Sequence, residues 1–78
     1  MDGAYELMDV EAGSVVGFYE TEDEALTIVR DTVASYGMRG VEGLVLSRLS
    51  DDGSLELIAE GSALADRAAS RTIIRARR

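Results

Sequence analysis

Two short segments near the start of the chain combine β-branched and aromatic residues with an alternation of apolar and polar positions. They are AYELMDV (residues 4–10) and SVVGFYE (residues 14–20), and the sequence EAGS lies between them. This pattern predicts two strands joined by a short hairpin loop that contains a glycine. Tyr5 and Leu7 share one face of the first strand, and Met8 lies on the other face.

A helical pattern follows at residue 22. Thr21 and Glu24 form a capping box, in which the Thr21 hydroxyl accepts a hydrogen bond from the first turn and the Glu24 carboxylate reaches back to the N–H of Thr21. Acidic residues in this turn also suit the positive end of the helix dipole, and Gly37 suits the left-handed position that ends a helix. The pattern predicts a helix over 22–36. Its apolar stripe consists of Ala25, Leu26, Val29, Val33 and Tyr36.

A second hairpin is predicted after the loop GMRGVEG. Asp51, Asp52 and Gly53 supply the turn, because glycine tolerates positive φ and aspartate bonds to its own backbone. The strands cover about residues 43–49 and 55–60. The first of them is apolar on both faces, with Leu44 and Leu46 on one and Val45 and Leu49 on the other. One face should pack on the helix, while the other needs cover from the C-terminal segment or from a second subunit.

The C-terminal segment combines apolar and basic positions at helical spacing. Ser62 is the predicted N-cap of a helix over 63–78, which would be basic, amphipathic and about 24 Å long. The pair Ile73-Ile74 beside Thr72 leaves a β-like alternative open for the last residues. The apolar stripe is Ala65, Ala69, Ile73 and Ala76, and the basic face is Arg67, Arg71, Arg75 and Arg78.

The order of these elements is ββαββα, which predicts an α+β fold with two layers. We expect a four-stranded antiparallel sheet built from two hairpins, with one helix between the hairpins and one at the C-terminus. The order of the strands in the sheet stays open. We expect residues 1–78 to form a single domain, with residues 67–78 as a basic C-terminal helix extension or tail. Three tyrosines are expected in or beside the core: Tyr5, Tyr19 and Tyr36.

Missing residue types narrow the chemistry that the chain can perform. Its 78 residues include no Cys, no His and no Lys, so disulfides, thiolate metal sites and imidazole bases are all excluded. We therefore expect no enzymatic activity and no cofactor. Two acidic runs are candidate ligands for a hard cation: Glu20 with Glu22, Asp23 and Glu24, and Asp51 with Asp52. Helix-start charge and turn chemistry explain both runs more simply.

Charge is distributed unevenly along the chain. Residues 1–66 carry all 15 acidic residues and three arginines, for a net charge of −12, while residues 67–78 carry five arginines, for +5. The basic segment is either a solvated helix face or a docking surface for an acidic partner, RNA or anionic lipid. As a solvated face, its positive charge suits the C-terminal end of the helix dipole, or it folds back on the acidic body. A protein partner, including a second copy, is favoured over nucleic acid because the acidic body repels polyanions. The predicted partner-binding residues are Arg67, Arg71, Arg75, Arg77 and Arg78.

No apolar run approaches the roughly 20 residues that span a bilayer, so no membrane span is expected. The N-terminal sequence MDGAYELMD is acidic and lacks the basic-then-apolar order of a signal peptide. We therefore expect a cytoplasmic protein.

One ordered set of residues carries a family resemblance. It consists of Tyr5, Leu7, Asp9, Gly17, Phe18, Thr21, Glu24, Ala25, Leu26, Leu44, Leu46, Gly53 and the segment IAEGSALA at 58–65. These residues resemble small bacterial proteins of unknown activity, which pair such a strand–helix unit with a closing I-A-E-G-x-x-L-A segment. The resemblance covers roughly residues 5–65. It implies a small α+β fold and no catalytic residues.

The shorter unit from Gly17 to Leu26 is also similar to segments of two characterised groups. One is the antitoxins with a partial RNase H fold, and the other is the arm-type DNA-binding domain of tyrosine recombinases. The sequence thus leaves two hypotheses for function. The first is a small non-enzymatic protein–protein interaction module that self-associates. The alternative is a nucleic-acid-binding or antitoxin-like regulator that uses the C-terminal arginines.

Overall fold

The computed structural model describes residues 4–76, and the side chains of residues 4–70. Its strands are β1 (Ala4–Asp9), β2 (Ser14–Tyr19), β3 (Leu44–Leu49) and β4 (Leu55–Glu60). Its helices are α1 (Glu22–Tyr36), a short 3-10 helix (Met38–Val41) and α2 (Gly61–Ala76). The element order ββαββα and the α+β class are confirmed. The 3-10 helix lies in the segment that the sequence predicted to be a loop.

The four strands form one antiparallel sheet in the order β2-β1-β3-β4. Each predicted hairpin pairs its own two strands, and the two hairpins join through β1 and β3. In this central pair Leu7 lies opposite Leu46, and Glu6 lies opposite Ser47. The strands at the two edges are therefore β2 and β4.

Both edge strands contain a β-bulge. Leu7 pairs with Gly17 and Met8 pairs with Val15, so Val16 is an extra residue in β2. In the same way Ile58 is an extra residue in β4, between the partners of Leu46 and Ser47. Bulges twist an edge and interrupt its ladder, which makes the addition of another strand less favourable.

Both helices pack on one face of the sheet and bury a single apolar core. The sheet contributes Leu7, Leu44 and Leu46, which alternate with residues of the opposite face. The helices contribute the remaining buried side chains, which are Ala25, Leu26 and Val29 of α1, Val41 of the 3-10 helix, and Leu64, Ala65 and Ala68 of α2. The molecule is accordingly thin, with a shortest extent of 16 Å, as expected for one layer of strands and one of helices.

The capping box at the start of α1 is present, with one difference from its predicted geometry. The Thr21 hydroxyl accepts a hydrogen bond from the N–H of Glu24 at 3.2 Å, as predicted. The Glu24 carboxylate accepts from the N–H of Glu20 at 3.1 Å, not from that of Thr21. At the other end Gly37 has a φ of 76° and its N–H donates to the Val33 carbonyl at 2.8 Å, which confirms its predicted role.

The start of α2 differs from the prediction. The helix begins at Gly61, directly after β4, so Ser62 lies inside its first turn and the predicted N-cap at Ser62 is wrong. Gly61 has a φ of 58°, a left-handed conformation that turns the strand into the helix without a loop.

The buried face of α2 consists of Leu64, Ala65 and Ala68. Ala65 is buried as predicted, whereas Ala69 is exposed and its predicted place on the apolar stripe is wrong. The side chains of Ile73 and Ala76, the other two positions of that stripe, lie outside the described residues.

The tyrosines divide between the core and the surface. Tyr5 and Tyr19 are half-buried and pack against the core, as predicted. Tyr36 is 74% exposed, so its predicted place in the core is wrong. It is the last residue of α1, and the chain then turns back through the 3-10 helix, from which Val41 fills the core instead.

Candidate interaction surface

The face of the sheet opposite the helices is mostly apolar. Strand alternation and the pairing register place three rows of side chains on this open sheet face. The middle row crosses all four strands as Phe18, Glu6, Ser47 and Leu57. The flanking rows are Val15, Met8, Val45 and Glu60 on one side, and Ala4, Leu49 and Leu55 on the other.

Several large side chains of the open sheet face are in contact with solvent. Phe18 is 62% exposed, Leu57 56% and Leu55 55%. Ser47 is only 8% exposed, because its small side chain is surrounded by larger neighbours on the same face. Phe18 lies on one edge strand, and Leu55 and Leu57 lie on the other. The half-buried Met8, Val45 and Leu49 of the flanking rows connect them around the polar centre. Isolated exposed apolar residues are ordinary on a protein surface, whereas a connected apolar surface of this kind is typical of an interaction site.

The described part of the C-terminal helix does not cover this face. The sequence predicted that either the C-terminal segment or a second subunit covers the second apolar face of the sheet. Leu64, Ala65 and Ala68 of α2 join the core on the side where α1 packs. The described part of α2 therefore supplies no cover for this face.

The open sheet face carries little charge. Within the described chain, strand alternation places Glu6 at its centre and Glu60 on its edge strand, and it places no arginine there. Arg48 of β3 belongs to the helix side by alternation and lies opposite Tyr5 and Glu56. A polyanion such as nucleic acid therefore has no electrostatic reason to bind this face.

Arg67, the first of the five predicted partner-binding arginines, forms an intramolecular ion pair. Its Nε donates a hydrogen bond to Glu22 Oε2 at the start of α1, a residue 45 positions earlier in the chain. The hydrogen bond raises the pKa of the Arg67 guanidinium above its ordinary value, and burial opposes this rise. This contact ties α2 to α1 and places one arginine on the acidic body.

The other four arginines of this group lie where no side-chain position is described. Arg71 and Arg75 belong to α2, which extends to Ala76, but their side chains lie outside the described part of the structure. Arg77 and Arg78 lie outside the described residues altogether. Their predicted role in partner binding stays a prediction.

The acidic runs serve helix and turn structure. Glu24 completes the capping box, and Asp52 accepts hydrogen bonds from the Ser54 N–H at 3.0 Å and from the Ser54 hydroxyl at 2.8 Å. These bonds lower the pKa of Asp52 below its ordinary value of 3.8, the backbone N–H having the larger effect. Among residues 4–76, no group of three or more acidic side chains is placed to hold a metal ion.

The described chain has neither an unsatisfied buried polar side chain nor a helix that could span a membrane. Every described side-chain nitrogen or oxygen that is buried has a hydrogen-bond partner. No helix in the described part is long and apolar enough to cross a membrane. The open sheet face is thus the feature of the described surface that calls for a functional explanation.

Sequence patterns indicated part of this surface. The two-faced apolar character of β3 predicted a second apolar face through Val45 and Leu49. The contribution of Phe18 and Leu57 was missed. Alternation places Phe18 on the side opposite Gly17. Leu57 and Ala59, in contrast, are two positions apart and lie on opposite faces only because of the bulge at Ile58. No family model, curated protein or solved structure matches the chain.

Proposed function

We propose that the protein is a small non-enzymatic protein–protein interaction module of the cytoplasm, and that it self-associates through the open sheet face. The observation that carries this proposal is the solvent exposure of Phe18, Leu55 and Leu57 on a face that neither helix covers. Burial of apolar surface is the main driving force of protein association. A 78-residue chain also has a small core, so burying a second apolar face adds to its stability.

The size of the open sheet face suits a second copy of the chain. Four strands about 4.8 Å apart and six residues long give a footprint of roughly 19 by 20 Å, or about 400 Å². Two such footprints sum to about 800 Å², and protruding side chains raise the buried total to on the order of 1,000 Å². This value is at the lower limit for a specific interface, so we expect weak and reversible association.

The edges of the sheet offer a less suitable site for association. Strand addition needs a regular row of free N–H and C=O groups, and the bulges at Val16 and Ile58 interrupt both edge ladders. Packing of one sheet face on another uses side chains instead and is unaffected by these bulges. We therefore place the contact on the open sheet face.

The alternative function is nucleic-acid binding through the C-terminal arginines. Its support is the charge of +5 on residues 67–78. Against it stand the net charge of −12 on residues 1–66 and the pairing of Arg67 with Glu22. A titration of the full chain with DNA and RNA at low salt, beside a variant in which Arg71, Arg75, Arg77 and Arg78 are each replaced by Gln, tests it directly. Affinity that depends on the arginines and falls with salt would favour this alternative.

Sedimentation velocity on the full chain, over a series of concentrations, tests the proposed self-association. Leu57→Glu places a charge in the open sheet face and should abolish association. Tyr36→Glu is the matched control, because Tyr36 is also an exposed apolar residue but lies at the end of α1. A wild-type chain that stays monomeric at high concentration, or equal association of wild type and Leu57→Glu, would refute the proposal.

A further inference from the structure

The middle row of the open sheet face is apolar at both ends and polar at its centre. From one edge of the sheet to the other it presents Phe18, Glu6, Ser47 and Leu57 at the same level. Its outer positions are large and apolar, whereas its two inner positions are polar and lie on neighbouring strands β1 and β3. A second copy packed on this face must accommodate the Glu6 carboxylate near the centre of the contact.

Two copies that pack these faces together as a symmetric pair have two principal orientations. Aligned sheets cross at about 30°, so their strands stay close to parallel or antiparallel. The two-fold axis of such a pair lies in the plane of the interface, directed either along the strands or across them. The two orientations differ in which residues of the middle row meet.

An axis across the strands, centred on the middle row, sets each residue of that row opposite its own equivalent. Glu6 of one copy then faces Glu6 of the second copy in a contact that excludes water. Like charges brought together in such a setting oppose association, and neither carboxylate gains a hydrogen-bond donor from the other. This orientation is unfavourable at its centre.

An axis along the strands sets β1 opposite β3 of the second copy, and β2 opposite β4. Glu6 then faces Ser47 of the second copy, whose hydroxyl can donate a hydrogen bond to the carboxylate. Phe18 faces Leu57 of the second copy, so the large apolar residues meet at both ends of the row. Each of these contacts occurs twice in the symmetric pair.

We propose, building on the self-association proposed above, that two copies pair face to face with the two-fold axis along the strands. Glu6 determines this orientation, because the alternative axis sets two carboxylates directly opposite each other with no donor, whereas the proposed axis offsets them by one strand spacing, ~4.8 Å, and gives each the Ser47 hydroxyl of the second copy. The partner is therefore a second copy of this chain in one defined register. A change in the crossing angle between the two sheets moves the residues at the edges more than those at the centre. The Glu6–Ser47 contact lies near the axis, so it depends least on the crossing angle.

Crosslinking through single cysteines tests the direction of the axis, since the natural chain contains no cysteine. Phe18 and Leu57 lie on opposite edge strands, three strand spacings or about 14 Å apart. Facing sheets are about 10 Å apart, beyond the Cα separation of up to about 7 Å that a disulfide bridges, so a short bis-maleimide is the appropriate reagent. The variants are Phe18→Cys and Leu57→Cys, each alone and as an equal mixture.

The proposed axis predicts that the mixture forms covalent pairs roughly tenfold faster than either variant alone, because facing thiols have a raised effective concentration. Faster crosslinking of each variant with itself would overturn the proposed axis. Val15→Cys and Glu60→Cys leave the middle row intact and face each other in the same way, so their mixture must give the same result. Equal rates in all samples would also overturn the axis.

Sedimentation of the same cysteine variants, before the reagent is added, distinguishes the two proposals. Association without preferential crosslinking of the mixtures rejects the axis and leaves self-association standing. Absence of association in the wild-type chain rejects the proposed function itself. Tyr36→Cys, at the exposed end of α1, measures the crosslinking rate of random encounters.

Discussion

Leu7 of β1 lies directly opposite Leu46 of β3, and both side chains are fully buried. This pair joins the two hairpins at the centre of the sheet and packs beneath both helices. Ser47, the next residue along β3, points to the opposite face, which no described helix covers. The two faces of the same strand therefore have different roles, one in the core and one at the surface.

Alanine substitutions on the two faces should differ in their effect on the monomer. Leu46→Ala should lower the free energy of unfolding by about 2–5 kcal/mol, because it opens a cavity in the core. Leu57→Ala should lower it by only about 0.5 kcal/mol, since Leu57 is largely exposed. Urea denaturation followed by circular dichroism, at low micromolar concentration, measures both. Equal losses would mean that the open sheet face is covered within one chain.

Gly61 is expected to be the most sensitive position at the junction of β4 and α2. Its φ of 58° costs an L-residue about 1–2 kcal/mol, so Gly61→Ala should lower the free energy of unfolding by that amount. Gly61→Asn should lose less, because asparagine tolerates the left-handed region. A Cβ here meets no atom nearer than the Glu42 carbonyl at 4.0 Å, so the cost is one of backbone conformation. Equal stability of Gly61→Ala and wild type in urea denaturation would contradict this explanation.

The turn at Asp52 should contribute a pH-dependent term to stability. Because the Ser54 hydrogen bonds lower the pKa of Asp52 in the folded chain, its carboxylate stabilises the fold above the ordinary value of 3.8. This contribution is lost as the pH falls through the lowered folded pKa. The difference in unfolding free energy between wild type and Asp52→Asn should accordingly be present at pH 7 and vanish in acid. Asp51→Asn controls for the loss of charge, and a difference that stays constant with pH would contradict the assignment.

The ion pair between Arg67 and Glu22 should have a small measurable coupling. The Arg67 side chain is 43% exposed, so solvent screens the interaction and we expect about 0.3–1 kcal/mol. A double-mutant cycle with Arg67→Met and Glu22→Gln isolates this pairwise term from the other effects of each substitution. A coupling of zero would contradict a stabilising ion pair and leave Arg67 available to a partner.

Local signals account for the part of the fold that the sequence predicted. The capping residue Thr21, the terminal Gly37 and the turn residues Asp52 and Gly53 act within a few residues, so their patterns could be recognised along the chain. The strand order depends on the pairing of β1 with β3, whose facing residues Leu7 and Leu46 are far apart in sequence. No local pattern encodes that pairing.

The candidate site was only partly predictable for the same reason. The sequence of β3 indicates that both of its faces are apolar. That Phe18 and Leu57 lie in one row with β3 follows only from the pairing registers of all three strand pairs, which the sequence does not show. For the basic segment the sequence left two alternatives, folding back on the acidic body or binding a partner, and Arg67 follows the first of them. Its contact with Glu22 is a tertiary one, and helical spacing within α2 could not have indicated it.

The direction in which salt changes the affinity distinguishes self-association from nucleic-acid binding. The chain carries a net charge of −7, so two copies repel each other, and salt screens this repulsion. We expect the dissociation constant of the pair to fall several-fold between low and moderate NaCl concentration, measured by sedimentation equilibrium. Binding of nucleic acid by the arginines would weaken with salt instead. Self-association that weakens with salt would show that opposite charges, not the open sheet face, hold the copies together.

The most direct test of self-association through the open sheet face is a dilution series followed by methyl NMR spectra of the unmodified chain. We expect the methyl resonances of Val45, Leu55 and Leu57 to shift with protein concentration, while those of Val29 in the core stay constant. The same spectra report both whether copies associate and which residues they use. Resonances that do not change up to high concentration, or changes confined to the C-terminal helix, would contradict the account.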